Sequence, residues 1–182
     1  MRRHAVSYDA PMSERILLIG MMGVGKTTVG RALATRLGWT YLDSDEEVLA
    51  ATGRSVKQIS TEDGPELLHR FEDQALMAAL QLPSPCVIGV AGGVVMVEEN
   101  RERLKGEQHV VLLRATLETL AERIGTKGER PHFDGDPEAT LRELYDVRRP
   151  LYALVADVTI DVDDVNPEEI VERILSEVHL AT

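Results

Sequence analysis

A glycine-rich segment with a lysine and two threonines carries the clearest chemical signal in the sequence. Residues 20–27 read GMMGVGKT and fit the pattern G-x-x-x-x-G-K-[ST], in which backbone N–H groups curl around phosphate oxygens. Lys26 is expected to reach the β- and γ-phosphates, and the Thr27 hydroxyl to coordinate Mg²⁺. A chance match arises in roughly 1% of chains of this length. The expected nucleotide-binding residues of this P-loop are Met22, Gly23, Val24, Gly25, Lys26, Thr27 and Thr28.

Two carboxylates, Asp43 and Asp45, stand close together in the segment YLDSD. In an extended chain, residues two apart face the same side. One carboxylate could hold the metal ion or its water shell, and the other could take the proton of a substrate hydroxyl. The alternative is helix capping, since Asp and Ser are good caps ahead of the residues EEV. The residue types leave both interpretations open, and the neighbouring P-loop favours the functional one.

The elements that must position these residues follow from the apolar pattern. Short apolar runs alternate with longer amphipathic segments, which predicts an α/β fold. Strands are expected at 16–19, 40–42, 86–90, 109–113 and 158–160, and helices at 29–37, from 55 onward, 66–82, 116–124, 137–153 and 167–180. The result is a parallel five-stranded sheet with helices on both faces. In such sheets the ligand binds at the carboxyl ends of the strands, where both chemical segments lie.

The length of 182 residues predicts one domain, over residues 14–182, after a disordered segment at 1–13. Residues 125–135 are rich in turn-forming and charged residues and have no periodicity, so a mobile lid is expected at about 124–136. Near the C-terminus, Asn166 followed by Pro167 and two acids predicts a capped helix start.

The composition restricts the classes of partner. There are 20 Lys and Arg residues against 31 Asp and Glu residues, a net charge of −11, and nucleic acids require basic surfaces. A single cysteine, Cys86, excludes an intrachain disulfide and fits a reducing compartment. Arg2 and Arg3 are followed by no apolar stretch typical of a signal peptide. We therefore expect a cytoplasmic protein with no nucleic-acid or membrane partner.

The order of motifs resembles that of the shikimate kinase family, with its nucleoside-monophosphate-kinase-like P-loop fold. The resemblance covers about residues 15–178. It rests on the segments GMMGVGKTTVGRALA, LDSDEEV followed by TGRSV, AGGVV, ERPHFDG, RRPLY and NPEEIVERIL. It implies an ATP- and Mg²⁺-dependent kinase that phosphorylates the 3-hydroxyl of shikimate in aromatic amino acid biosynthesis, and a monomer.

The resemblance also implies roles for individual residues. Lys26 and Thr27 would hold the phosphates and Mg²⁺, with Asp43 on the metal side. Asp45 would bind the acceptor hydroxyls and act as the base. The other implied residues are Gly92 and Gly93 for the acceptor, Arg130 for phosphates and acceptor, Arg148 for the acceptor carboxylate, and Arg123, Asn166 and Pro167 for the adenine. For Arg123 and Arg148 taken singly, the alternative is a solvated helix face.

Departures from the family pattern fall on the acceptor side. His69 stands where the family has an arginine for the acceptor carboxylate, and Ser60 and Leu68 replace aromatic residues. Arg70 is adjacent to His69, but one helical residue turns a side chain by about 100°. Pro65, Ala91 and His132 are further departures.

Three functions remain open at this point. The first is a shikimate kinase, in which His69 still contributes to acceptor binding. The second is a related kinase for another polyhydroxy acid or cyclitol, such as gluconate. The third is a nucleotide-binding regulatory protein without catalysis, against which the catalytic candidates Lys26, Asp45 and Arg130 argue. A dinucleotide-binding oxidoreductase is excluded because the loop lacks G-x-G-x-x-G in the required register.

Overall fold

The computed structural model describes residues 14–126 and 137–180. Residues 1–13, where we expected disorder, lie outside the described residues, and so does most of the expected lid, with Arg130 and His132. The first residues of the expected lid are described. They form the end of a helix that continues to Thr126.

The centre of the fold is a five-stranded sheet in which every pairing is parallel. The strands are β1 (Arg15–Ile19), β2 (Thr40–Asp43), β3 (Cys86–Gly89), β4 (Val110–Arg114) and β5 (Val158–Asp161), in the order β2-β3-β1-β4-β5. The three central strands β1, β3 and β4 are almost continuously buried apolar runs because helices cover both faces of the sheet, whereas the edge strands β2 and β5 include exposed residues. The predicted α/β fold with a parallel five-stranded sheet is confirmed.

Eight helices surround the sheet in the described part of the chain. They are α1 (Lys26–Leu37), α2 (Ser44–Thr52), α3 (Val56–Glu62), α4 (Pro65–Leu80), α5 (Glu98–Lys105), α6 (Leu117–Thr126), α7 (Pro137–Ala153) and α8 (Pro167–Glu177), with a 3₁₀ turn at Val94–Met96. No helix in the described ranges is both long enough and apolar enough to span a lipid bilayer.

The helix starts agree with their capping signals. Ser55 and Gln58 form the reciprocal capping box at α3, and the Asn166 side chain accepts from the N–H of Glu169 at α8. Helix α5 was not predicted, and a helix at α2 was considered only as the capping alternative for the two aspartates. Of the eight residues of α5, only Asn100 and Leu104 are buried, so the segment has no apolar stripe that could reveal it.

The core has two parts. The main cluster packs around the strands and includes Leu76 and Ala79 of α4. A smaller satellite cluster joins α2, α3 and α4 through Val48, Ile59 and Ala75. Helix α4 therefore contributes to both clusters and connects the α2–α3 layer to the sheet.

Candidate active site

The P-loop joins the end of β1 to the start of α1. Gly25 is the residue before α1 and has a left-handed conformation, with φ of 106°. For a residue with a side chain, this left-handed conformation would be less stable by about 1–2 kcal/mol. The first N–H groups of α1 have no partner within the helix, so they form an anion-binding end. Residues 22, 23 and 25–28 line a cavity together with Arg123 and Ile124 of α6.

Lys26 folds back over its own loop. Its Nζ donates to the carbonyl oxygens of Gly20 at 2.9 Å and Met21 at 3.2 Å. Burial lowers the pKa of Lys26, and the Asp45 and Asp43 carboxylates act in the opposite direction. The two carbonyls thus hold this ammonium at the cavity wall, and the two carboxylates act on it electrostatically. Phosphate oxygens could replace the carbonyls.

Asp43 is the last residue of β2, and both oxygens of its carboxylate accept hydrogen bonds. Its Oδ2 accepts from the Thr27 hydroxyl and from the Tyr41 hydroxyl, each at 2.8 Å, and its Oδ1 accepts from the N–H of Asp45 at 3.0 Å. It is the N-cap of α2, so the capping interpretation is correct for this residue. The cap also places a carboxylate directly beside the hydroxyl of Thr27, which is the arrangement expected of a metal site.

Asp45 corrects one step of the sequence reasoning. The chain is not extended between the two aspartates, because α2 begins at Ser44 and Asp45 lies in its first turn. Both carboxylates nevertheless line the same cavity as the P-loop. The Asp45 side chain is exposed at the open side of the cavity, yet the surrounding protein desolvates its carboxylate enough to raise its pKa to about 6, against the opposing effect of Lys26. A carboxylate with such a pKa suits proton transfer near neutral pH.

Arg123 connects two sides of the cavity. Its Nη1 donates to the carbonyl of Val24 in the P-loop at 3.2 Å, and its Nη2 donates to the carbonyl of Val162 after β5 at 2.9 Å. The cavity wall that would face a nucleotide base is thus fixed from both sides. Asn166, expected at the adenine edge, is exposed and caps α8; neither it nor Pro167 is among the residues lining the cavity.

A turn after β3 carries the expected acceptor glycines. The Gly92 carbonyl accepts from the Tyr152 hydroxyl of α7 at 2.8 Å. Burial raises the pKa of Tyr152 to about 12, so this hydroxyl keeps its proton and donates. A Cβ atom on Gly92 would lie 3.4 Å from Nη1 of Arg148. The Nε of Arg148 is buried and has no hydrogen-bond partner among the described residues.

Gly93 faces α4. Nδ1 of His69 lies 3.0 Å from Oε2 of Glu72, one turn further along the helix. A Cβ atom on Gly93 would overlap Oε2 of Glu72 and lie 3.0 Å from the His69 ring. Only glycine allows the turn to pack this closely on the His69–Glu72 pair. Glu72 is buried and acts electrostatically on both Asp45 and Lys26, so this pair adjoins the cavity.

Most of the predicted site residues converge at the carboxyl ends of β1, β2 and β3. The P-loop, Asp43, Asp45 and Arg123 share one cavity wall, and the glycine turn, His69 and Arg148 form the adjoining cluster. Two of the residues that depart from the family pattern on the acceptor side lie outside this cluster. Ser60 is exposed, and Leu68 packs against the satellite cluster. Arg70 is exposed on the uninterrupted helix α4 and does not replace His69.

Sequence reasoning missed three side chains of the site. Tyr41 holds Asp43, Tyr152 holds the glycine turn, and Glu72 holds His69. Two of these had a usable signal: Tyr41 is two residues before Asp43 on a strand, and Glu72 is three residues after His69 on a helix. A Glu in an amphipathic helix is usually solvent-exposed, which concealed the buried Glu72.

The chain was compared with known proteins. A profile of the shikimate kinase family (SKI) matches residues 22–179. A shikimate kinase from Ruegeria pomeroyi is 38% identical over 168 residues, which cover 92% of this chain and 86% of the relative. The structure of a shikimate kinase from Acinetobacter baumannii in complex with shikimate matches with a TM-score of 0.84 and 34% identity, over 91% of this chain and 92% of that one.

A gluconokinase structure from Sinorhizobium meliloti also matches, with a TM-score of 0.60, 22% identity, and coverage of 91% of both chains. At this identity the likeness concerns the fold alone.

Proposed function

The chain belongs to the shikimate kinase family, and on this basis we propose that it transfers the γ-phosphoryl group of ATP to the 3-hydroxyl of shikimate. The observation that carries the proposal is the position of Asp45. This carboxylate lines the same cavity as the P-loop residues, and the charges of Lys26 and Glu72 both act on it. This position supports a role for Asp45 between the nucleotide phosphates and an acceptor hydroxyl.

Transfer needs one proton acceptor and a compensating positive charge. In the proposed reaction the Asp45 carboxylate takes the proton of the acceptor hydroxyl, whose oxygen bonds to the γ-phosphorus. The bond from that phosphorus to the β–γ bridging oxygen breaks, and ADP leaves. Lys26 exchanges its carbonyl partners for phosphate oxygens and stabilises their charge. Arg130, outside the described residues, is assigned to the phosphates and acceptor from the family resemblance.

We propose Mg²⁺ as the metal that accompanies ATP. The Thr27 hydroxyl and the Asp43 carboxylate meet at 2.8 Å, and hard oxygen donors of this kind suit Mg²⁺. Within residues 14–126 and 137–180, no three acidic, histidine or cysteine side chains cluster as a metal site. When bound, Mg²⁺ would neutralise phosphate charge.

We assign the remaining nucleotide and acceptor roles from the family resemblance. Arg123, which lines the cavity, would cover the adenine, and Asn166 and Pro167 would approach its edge although neither lines the cavity. Gly92 and Gly93 would present backbone N–H groups to the acceptor, and Arg148 would pair with its carboxylate through the guanidinium group. We further propose a cytoplasmic monomer, consistent with the need for ATP and Mg²⁺, and no nucleic-acid partner, consistent with the net charge of −11.

A coupled ATP-turnover assay across shikimate, quinate, gluconate and several cyclitols tests the proposal. We expect turnover with shikimate at millimolar concentration. Turnover only with another polyhydroxy acid would identify that compound, instead of shikimate, as the acceptor. That second candidate is favoured by His69, which stands where the family has an arginine. ATP binding without turnover on any acceptor would instead indicate a regulatory protein.

A further inference from the structure

The hydrogen bond between His69 and Glu72 determines what the imidazole ring can offer a ligand. An ionised carboxylate only accepts hydrogen bonds, so Nδ1 of His69 must carry the hydrogen when Glu72 is ionised. In a neutral ring the other nitrogen, Nε2, then has a lone pair and no hydrogen. The side chain of His69 is 30% exposed, and Nε2 has no partner in the described part of the chain. The free nitrogen is therefore an acceptor, which repels a carboxylate.

One extra proton reverses this behaviour. If it goes to the ring, His69 becomes an imidazolium and Nε2 carries a hydrogen. If it goes to Glu72, the acid donates to Nδ1 and the ring hydrogen moves to Nε2. Both forms of the pair present Nε2–H as a donor, and both have one more proton than the neutral ring beside the ionised acid. The position of the proton within the pair does not alter this conclusion.

Four charged groups from different parts of the fold bear on the pair. Glu72 is on the same helix, Asp45 comes from α2, Lys26 from the P-loop and Arg148 from α7, against the neighbouring glycine. The 3₁₀ turn at Val94–Met96 has no titratable side chain, and no ion pair links α3 to His69 within the described ranges. An incoming carboxylate next to Arg148 would thus add a negative charge beside the pair and favour its extra proton.

We propose that His69 and Glu72 form a proton-linked receptor for the acceptor carboxylate, which takes up one proton as the acceptor binds. The inference rests on the proposed function, because it requires a carboxylate acceptor at this cluster. Arg148 supplies a permanent positive charge, and His69 supplies a hydrogen-bond donor only after protonation. Since the complex holds one proton more than the free protein, acceptor affinity rises as the pH falls. Glu72 is a positioning residue that acts through His69.

Isothermal titration of shikimate into the full-length protein, between about pH 8.5 and pH 6, tests the inference directly. The dissociation constant is expected to fall with pH by up to about tenfold per pH unit, the limit for one proton. Repeating the titration in buffers of different ionisation enthalpy counts the protons, and we expect uptake of up to one. Binding in the absence of nucleotide removes any contribution from catalysis by Asp45.

Three variants separate the contribution of His69 to the pH dependence of binding from that of Glu72 and from that of an unrelated histidine. His69→Arg should bind shikimate more tightly at about pH 8 and lose the pH slope, because arginine is always charged. Glu72→Gln should reduce the slope, because a glutamine amide can donate to Nδ1 and leave the hydrogen on Nε2 of a neutral ring. The control His179→Gln changes an exposed histidine just beyond α8 and should retain the slope.

The outcomes distinguish the inference from the function on which it rests. Binding that is independent of pH and takes up no proton would overturn the inference and leave the shikimate kinase function intact. Retention of the full slope in His69→Arg would also overturn it. Absence of shikimate binding and turnover at every pH would refute the proposed function, and the inference with it.

Discussion

Asp43 and Asp45 are separated by a single residue, yet they have different surroundings. Asp43 accepts three hydrogen bonds and acts as a cap, so its carboxylate is held in a fixed position. Asp45 is exposed at the open side of the cavity, and desolvation by the surrounding protein raises its pKa to about 6. A single turn at the start of α2 creates this difference. It assigns the metal side to one carboxylate and proton transfer to the other.

The pH dependence of kcat should reveal Asp45. The base must be ionised, so kcat should fall about tenfold per pH unit once the pH drops below the pKa of Asp45, which is about 6 in the ligand-free protein. Asp45→Asn should lower kcat by about 10²–10⁴-fold and lose this acid limb while ATP binding is retained. Steady-state kinetics with saturating acceptor measures both effects. An unchanged kcat at about pH 5, or full activity in the variant, would remove Asp45 as the base.

A methyl group at Gly93 should impair acceptor binding selectively. In Gly93→Ala the new Cβ meets Glu72 and the His69 ring, whereas φ of −80° is suitable for alanine. Overpacking costs about 1–3 kcal/mol, so KM for the acceptor should rise about tenfold or more while KM for ATP stays within about twofold. Gly106→Ala, with a similar φ of −79° at the end of α5, is the control. Equal effects of both variants would contradict the predicted packing.

At the scale of elements, the strands and helices that carry a clear apolar pattern or capping signal were predicted from the sequence. The buried runs of β1, β3 and β4 and the capping box of α3 are examples. Helix α2 was considered only as the capping alternative for the two aspartates, because the residues SDEEVLAAT bury only Ser44 and Val48 and so lack an apolar stripe. Its start also decides where Asp45 points, so the error in the element became an error in the geometry of the carboxylate pair.

Substitutions of Asn166 test whether helix α8 influences nucleotide binding through its N-cap. Its side chain caps α8, so Asn166→Ala should lower the free energy of unfolding by about 1 kcal/mol, and Asn166→Ser should preserve it. Urea unfolding of the two variants measures this difference. If KM for ATP rises in both variants, Asn166 contacts the nucleotide directly. A rise in the alanine variant alone would mean that α8 positions the adenine side through its cap.

At the scale of the whole molecule, ligand binding should stabilise the fold through the P-loop. Nucleotide at 100 times its dissociation constant adds about 2.7 kcal/mol, which corresponds to about 5–10 °C in Tm for a chain of this size. Thermal unfolding with and without ATP and Mg²⁺ measures the shift. The Lys26→Ala variant should lose most of this rise in Tm. A similar shift in that variant would mean that the nucleotide binds away from this loop.

The sequence located the nucleotide side of the site better than the acceptor side. A P-loop is a continuous segment, so its residues can be identified together. The acceptor cluster is assembled from α4, α7 and the turn after β3, and its contacts depend on tertiary packing. The partnership of Glu72 with Gly93 is of this kind, because the two residues are 21 positions apart and meet only in the folded chain.

The satellite cluster of Val48, Ile59 and Ala75 has a consequence for the evolution of this enzyme class. Because this cluster lies apart from the main core, mutations within it can be compensated locally, with less repacking of the residues around the P-loop. Residues of the α2–α3 layer can thus change while the nucleotide machinery is retained.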